Sequence, residues 1–283
     1  PYDFVSFNIG SLAAGSRQVA AAPRVALVKP IARVLDLKAR LESLARAQPA
    51  TPETGRHLLV VGGGAAGIEL AFVGAAVLDR AGAGSTRRRV TLIEGRSHIL
   101  ADYDQRCRHR VERLLAERGI SLRTGVAAIG TGAEGVRFAD GTELTADLIV
   151  WLTGPEAPPL LAGAGLPLDA RGFLLVDDAL RALGDPRVFA VGDCATLANY
   201  PRTPKAGVYA VREAPILWAS LLAAAANQAP PRYTPQSGFL SLLNTADGRA
   251  LLRWRRVLLH SRWAWRLKDW IDRGFVARYQ RLT

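Results

Sequence analysis

Apolar and polar residues alternate over residues 2 to 10 and stop at Gly10-Ser11, the pattern of a strand followed by a turn. Ile31, Val34, Leu35, Leu41 and Leu44 then recur at helical spacing within VALVKPIARVLDLKARLESLARA and predict a helix. QPATPETGR (48–56) reads as a Pro/Thr/Gly linker and a domain boundary. Beyond it the period switches repeatedly: strand 58–61, helix 65–79, strand 90–93, helix 104–117, strand 120–123, shorter strands near 126–129 and 135–138, then the apolar ADLIVWLTG. Such alternation predicts an α/β fold, a parallel sheet with helices on its faces. FLLVD and RVFAVGD are further strands, and TPKAGVYAVREAPILWASLLAAAA reads as one long helix. A second linker, QAPPRYTP (228–235), leads to GFLSLLNTADGRALLRW, two strands around an Asp247-Gly248 turn.

With 283 residues the chain suits two compact units better than one small core. Its 49% hydrophobic and 22% charged content describe a globular protein. No uninterrupted apolar run approaches the roughly 18 residues of a membrane span, and no secretory signal is visible. The two cysteines, Cys107 and Cys194, are far apart, which argues against a disulfide framework or a redox dithiol and points to the cytoplasm. The chain begins at Pro1, contains no methionine and enters directly on a strand pattern, so an N-terminal part is expected to be missing. The four histidines, 57, 98, 109 and 260, are scattered and suggest no metal site.

Chemistry first shows in HLLVVGGGAAGIELA. Gly62-x-Gly64-x-x-Gly67 follows a strand and opens a helix, the setting of a dinucleotide loop. Gly62 permits the tight turn, Gly64 lets the backbone approach a pyrophosphate, and Gly67 lets helix and strand pack closely. The helix N-terminus, with Ala65 and Ala66, offers N–H groups and partial positive charge to phosphate. The next strand ends in Glu94, whose carboxylate accepts from ribose hydroxyls and repels a 2′-phosphate; NADH is therefore preferred. Arg96 with Arg87 to Arg89 leaves room for NADPH. The plain alternative is a glycine-rich turn that holds no nucleotide.

RVFAVGDCA carries a second motif, an apolar strand closing on Gly192-Asp193. The aspartate suits a polyol hydroxyl; its plainer reading is a turn cap. Taken in order, YDFVSFNIGS, the glycine loop, LIVWLTGPEAPPLL and GFLLVDDALRALGDPRVFAVGDCA resemble the pyridine nucleotide–disulfide oxidoreductase superfamily over roughly residues 2 to 225. That resemblance implies two Rossmann-like dinucleotide-binding domains, the NAD domain inserted in the FAD domain, with a small C-terminal α+β segment. The implied divisions are 1–50, a remnant of the first FAD segment and a linking helix; 51–155, the NAD(P) domain; 156–228, the second FAD segment; and 229–283, a C-terminal segment with a basic amphipathic helix. It also implies FAD held by Asp193 and Gly192, with Gly10 and Gly154 closing the two strands before the domain crossings and Ala206-Gly207 opening a helix toward the flavin. The family's first GxGxxG is absent and is expected upstream of Pro1.

The superfamily's disulfide reductases need a cysteine pair that this chain lacks. The subfamily it most resembles is the type II NADH dehydrogenases, and VKPI, TPKAGVYAVR and WRLKDWIDRGF narrow this to NADH-dehydrogenase-like flavoproteins found alone or fused to selenide, water dikinase. The implied activity is hydride transfer from NADH to flavin and on to a non-disulfide acceptor, with quinone as one option. Glu69 holds the position where relatives carry a glutamate near the nicotinamide–flavin junction; an ordinary paired helix residue is the alternative. Lys205 would add charge where the long helix points at the flavin, or would be a surface lysine. The competing function is a non-catalytic module partnering a selenophosphate-forming enzyme.

The formal charge of +12 is uneven: from Arg249 onward ten Arg/Lys face two Asp, and four of the six tryptophans lie there. As a helix from Ser261, the tail puts Trp263, Leu267, Trp270, Ile271 and Phe275 on one face. That face suits packing on the protein's own body, or an interfacial helix on the inner membrane face beside a quinone. No nucleic-acid partner is expected. Homodimerisation is left open.

Overall fold

The computed structural model describes residues 1–47, 55–81 and 88–280. Residues 48–54 of the first linker, and Arg87 with the loop before it, lie outside them. The chain forms two compact units, Pro1–Ala14 with Pro155–Phe239 and Gly15–Gly154 with Leu240–Thr283.

The first unit is discontinuous in sequence. Strand β1 (Val5–Phe7) pairs in parallel with β13 (Val188–Ala190), Phe7 opposite Ala190. β2 (Leu12–Ala13) pairs antiparallel with β11 (Pro155–Glu156), so the chain leaves this unit and returns to it at adjacent strands. β12 (Leu174–Val176) and β14 (Ala195–Leu197) form a second parallel pair. Leu174, Val176, Leu180, Val188 and Tyr233 build the core, with Ile216 and Leu217 of α5 (Gly207–Ala225) against it. By length and mean hydropathy (1.2) α5 would be able to cross a bilayer. Its apolar stretch is interrupted by Arg212 and Glu213, and Val211, Trp218 and Leu222 are exposed.

The second unit is built on a five-stranded parallel sheet ordered β3-β10-β4-β5-β6. Its strands are β3 (Val25–Leu27), β4 (Arg56–Val61), β5 (Arg88–Glu94), β6 (Ile120–Thr124) and β10 (Leu148–Trp151). The short α1 (Ser16–Val19) precedes it, and α2 (Val34–Arg46), α3 (Ala65–Ala81) and α4 (Gln105–Glu117) accompany it. β7 (Ala128–Thr131), β8 (Gly135–Phe138) and β9 (Glu143–Thr145) form an antiparallel meander before β10. All six residues of β4 are buried, as a central strand covered on both faces requires.

Residues 25–27, expected within a helix, form the edge strand β3. The helix begins later, at Val34, after a single 3₁₀ turn. Its buried face is Leu37, Leu41 and Ala45, while Ile31 and Leu35 are exposed. Residues 37, 41 and 45 step by four and stay on one helix face; 31 and 35 fall off it.

β15 (Ser241–Asn244) and β16 (Ala250–Trp254) make the expected hairpin, and β17 (Val257–Ser261) extends it to three strands. Helix α6 (Arg262–Gln280) follows. Ala264 is buried against Ala250 and Leu252, with Trp265 and Leu267 packed beside it. The expected apolar face therefore divides. Leu267 packs inward, whereas Trp263, Trp270, Ile271 and Phe275 are exposed, Trp270 by 73%. Leu243 and Leu251 join the core of the glycine-loop unit. The hairpin and α2, set apart from the nucleotide domain by the sequence boundaries, thus belong to the same compact unit as the glycine loop.

Candidate functional site

The glycine loop lies between β4 and α3, at the carboxyl ends of the parallel strands where ligands of such sheets bind. Gly62 has φ +122°, and a Cβ there would stand 2.1 Å from the carbonyl oxygen of Leu152. At Gly67 it would stand 1.8 Å from the oxygen of Gly62, so both positions require glycine. Gly64 is different in kind: a Cβ would meet nothing within 4 Å, which leaves its backbone open to a ligand. Ala65, Ala66 and Gly67 form the first turn of α3, whose N–H groups have no intrahelical acceptor. Gly154, just beyond β10, is equally open.

Glu94 ends β5 beside this loop. Its Oε2 accepts the N–H of Gly63 at 2.9 Å and its Oε1 accepts the N–H of Arg96 at 2.9 Å. Both oxygens are thus oriented by backbone, and each keeps a lone pair for a hydroxyl donor. A Cβ on Gly63 would press on Glu94 and Ile99, at 2.9 and 2.8 Å. The sequence reading passed over Gly63, a variable position of the fingerprint, because only Glu94's fold-back makes it matter.

Glu69, in the second turn of α3, is half-buried. Its Oε1 accepts the backbone N–H of Asn244 at 2.8 Å, and Lys268 Nζ stands 3.9 Å away. Burial pushes its carboxyl above the usual carboxylate range. The side chain is a paired helix residue that ties the C-terminal hairpin and α6 to the glycine-loop helix.

In the first unit, β13 runs into a short turn, Gly192–Cys194, with Gly192 at φ +73°. Asp193 Oδ2 accepts from Ser11 Oγ at 2.8 Å, just beyond Gly10 with its φ of +69°. Gly10, Gly192, Asp193 and Gly207 line one open cavity of about 350 Å³, together with Asn8, Ala210 and Ala214. At Gly10 and Gly207 a Cβ would meet nothing within 4 Å. Ala206, extended at φ −142°, is the N-cap of α5.

Lys205 faces elsewhere. Its Nζ donates to the Ala195 carbonyl and to Thr196 Oγ1 (2.8 Å), and lies 4.5 Å over the Phe173 ring. Burial lowers it to about 8. It lines a neighbouring cavity of about 10 Å³, room for one water, together with Asp193 and Glu213. Ser11 and Glu213 were missed from sequence. Ser11 directly follows the quoted strand and carried a signal; Glu213, an acid inside a helix, carried none.

Cys107 and Cys194 are buried and unbridged, and burial pushes the Cys107 thiol up to about 11. Among the described residues no group of three or more His, Cys, Asp or Glu is placed to hold a metal.

A glycine loop in one unit and a Gly-Asp turn on discontinuous strands in the other define the α/β fold of the two-dinucleotide-domain flavoproteins. The pyridine nucleotide-disulphide oxidoreductase family model matches residues 12–214, and the chain belongs to that family. An NADH dehydrogenase-like protein of Mycobacterium tuberculosis is 34% identical over 140 residues, 49% of this chain and 35% of that protein. The type II NADH:quinone oxidoreductase of Haemophilus influenzae is 32% identical over 148 residues, 50% and 33% of the two chains. These matches span about a third of the relatives' length. In fold the chain is similar to NDH2 of Plasmodium falciparum in complex with NADH (TM-score 0.73, 14% identity, 96% and 73% of the chains covered). It is likewise similar to the sulfide:quinone oxidoreductase of Aquifex aeolicus (TM-score 0.75, 18% identity, 98% and 69%).

Proposed function

We propose that this chain is part of an NADH:acceptor oxidoreductase that passes hydride from NADH to FAD and on to a non-disulfide acceptor, a quinone being the acceptor its relatives' names favour. The observation that carries the reading is the cavity of the first unit. Gly10, Gly192, Asp193 and Gly207, drawn from separate stretches of the chain, line it, and at Gly10 and Gly207 the backbone is open to the approach of a large planar ring. When bound, the flavin supplies two-electron chemistry between nicotinamide and acceptor.

The chain's own residues have separable roles. Asp193, oriented by Ser11, accepts from the sugar-alcohol hydroxyls of FAD, and the α5 N-terminus at Ala206-Gly207 directs its amides and partial positive charge toward the flavin edge. Gly62, Gly64 and Gly67, with Ala65 and Ala66, seat the pyrophosphate of the nicotinamide cofactor. Glu94 takes its adenosine ribose, which favours NADH over NADPH. Gly154 leaves backbone open beside that cofactor. Lys205 adds positive charge behind Asp193. Glu69 acts through its grip on the hairpin. The exposed tryptophans of α6 fit peripheral contact with a membrane that stores the quinone. The relatives named above are all oxidoreductases, which favours an enzyme over a regulatory partner.

The test is a spectrum of the purified protein in its full length. A flavin absorption band bleached anaerobically by NADH and restored by a quinone is the expected result. A colourless protein that takes up no FAD overturns the reading.

A further inference from the structure

Glu213 stands outside everything assigned so far, yet it is the one acid buried in the core of the first unit. It is 6% exposed, and its Oε2 accepts the backbone N–H of Gly192 at 2.6 Å. Gly192 sits in the left-handed region, at φ +73°, with Ala210 of α5 packed where a Cβ would be (3.2 Å). A carboxylate hydrogen bond to a buried amide is strong and directional, so it fixes the Val191–Gly192 peptide, the unit immediately before the one that carries Asp193. Oδ2 of Asp193 accepts from Ser11 Oγ, 2.8 Å away.

The two contacts come from different parts of the unit, α5 and the residue before β2, and fall on adjacent residues, the Gly192 amide and the Asp193 carboxylate. Glu213, Asp193 and Lys205 line the same small cavity, two acids and one ammonium, behind the larger cavity that Gly192 and Asp193 also line. Burying a carboxylate is costly unless it is paired and hydrogen-bonded, and no packing need of α5 calls for an acid there.

We propose that Glu213 is a positioning residue for FAD: it holds the Gly192 amide so that Asp193 is presented, with a fixed rotamer, to the sugar-alcohol chain of the cofactor. This rests on the flavin reading given above. The role needs an acceptor atom at the Glu213 position and does not need its charge.

The experiment compares FAD affinity, by fluorescence quenching and by the shape of the bound visible band, in the full-length protein and in Glu213→Leu, Glu213→Gln and Asp193→Ala. Expected are a roughly 10- to 100-fold loss of affinity and an altered band for Glu213→Leu, near-parental values for Glu213→Gln, which keeps an acceptor oxygen, and loss for Asp193→Ala. A parent that binds no FAD removes the flavin reading, and this inference with it. A parent that binds FAD through Asp193 while Glu213→Leu matches it leaves the flavin reading standing and overturns the role of Glu213. Should Glu213→Leu not fold, Glu213→Gln decides: parental affinity and band shape support the acceptor role, and a loss equal to that of Asp193→Ala overturns it.

Discussion

The carboxylate of Glu69 accepts the backbone N–H of Asn244 at 2.8 Å and so fastens the C-terminal hairpin to the helix that opens at the nucleotide loop. Glu69→Ala leaves that amide without its acceptor. A loss of about 1 kcal/mol is expected, the low end for an unsatisfied donor because the site keeps some solvent access. Hydrogen exchange at Asn244 should quicken severalfold, and Glu69→Gln should restore most of the protection. Unchanged exchange in Glu69→Ala would mean that the hairpin is held by its apolar contacts alone.

In the proposed function Glu94 carries the choice of nicotinamide cofactor. With both oxygens oriented by Gly63 and Arg96, it has little freedom to turn from a 2′-phosphate. Hydrogen bonds to a charged group contribute about 1.5–3 kcal/mol, so Glu94→Ala should weaken NADH binding roughly 10- to 100-fold and narrow or reverse the preference over NADPH. Titrating both nucleotides against parent and variant checks it. Equal NADH affinity in the two proteins would remove Glu94 from the site.

His57 lies buried in β4, its ring bonded to the Thr145 carbonyl at 2.8 Å and to Thr91 Oγ1 at 3.0 Å. Burial lowers its pKa below the ordinary 6.5, with nearby Arg89 acting the same way. The unfolded chain therefore takes up a proton at a higher pH than the folded one. The stability tied to neutral His57 is complete above about pH 6.5 and declines as pH falls toward the folded value, by at most about 1.4 kcal/mol per pH unit. His260, also lowered by burial, adds in the same direction. Thermal melts from pH 8 to pH 5 should show this decline, with a shallower one in His57→Gln. An identical slope in the variant would assign the acid sensitivity elsewhere.

Trp270 and Phe275 project from α6 while Ala264 and Leu267 hold it to the hairpin. If the exposed face enters a lipid interface, Trp270→Glu with Phe275→Glu should cut sedimentation with anionic vesicles by about 10-fold or more, since each large apolar side chain contributes roughly 1.5–3 kcal/mol on burial. Melting temperature should stay near the parental value because both positions are exposed. Equal sedimentation by parent and double variant would exclude this face as the contact.

Local pattern by itself determined the α/β class, the glycine loop with its flanking strand and helix, and the aspartate that closes β13. These depend on short-range rules, the period of apolar positions and the residues a tight turn tolerates, which a linear sequence displays in full. It misjudged residues 25–27, because an apolar trio reads alike as helix or as edge strand until a sheet offers it a partner. Only the tertiary structure decided what the acids do. Glu69 is joined to an amide 175 positions away, Glu94 is turned by Gly63, and Glu213 is buried on the N–H of Gly192. A carboxylate's role follows from which donor the fold brings within about 3 Å of it, and that distance is a property of the folded chain with no trace in the period of its residues.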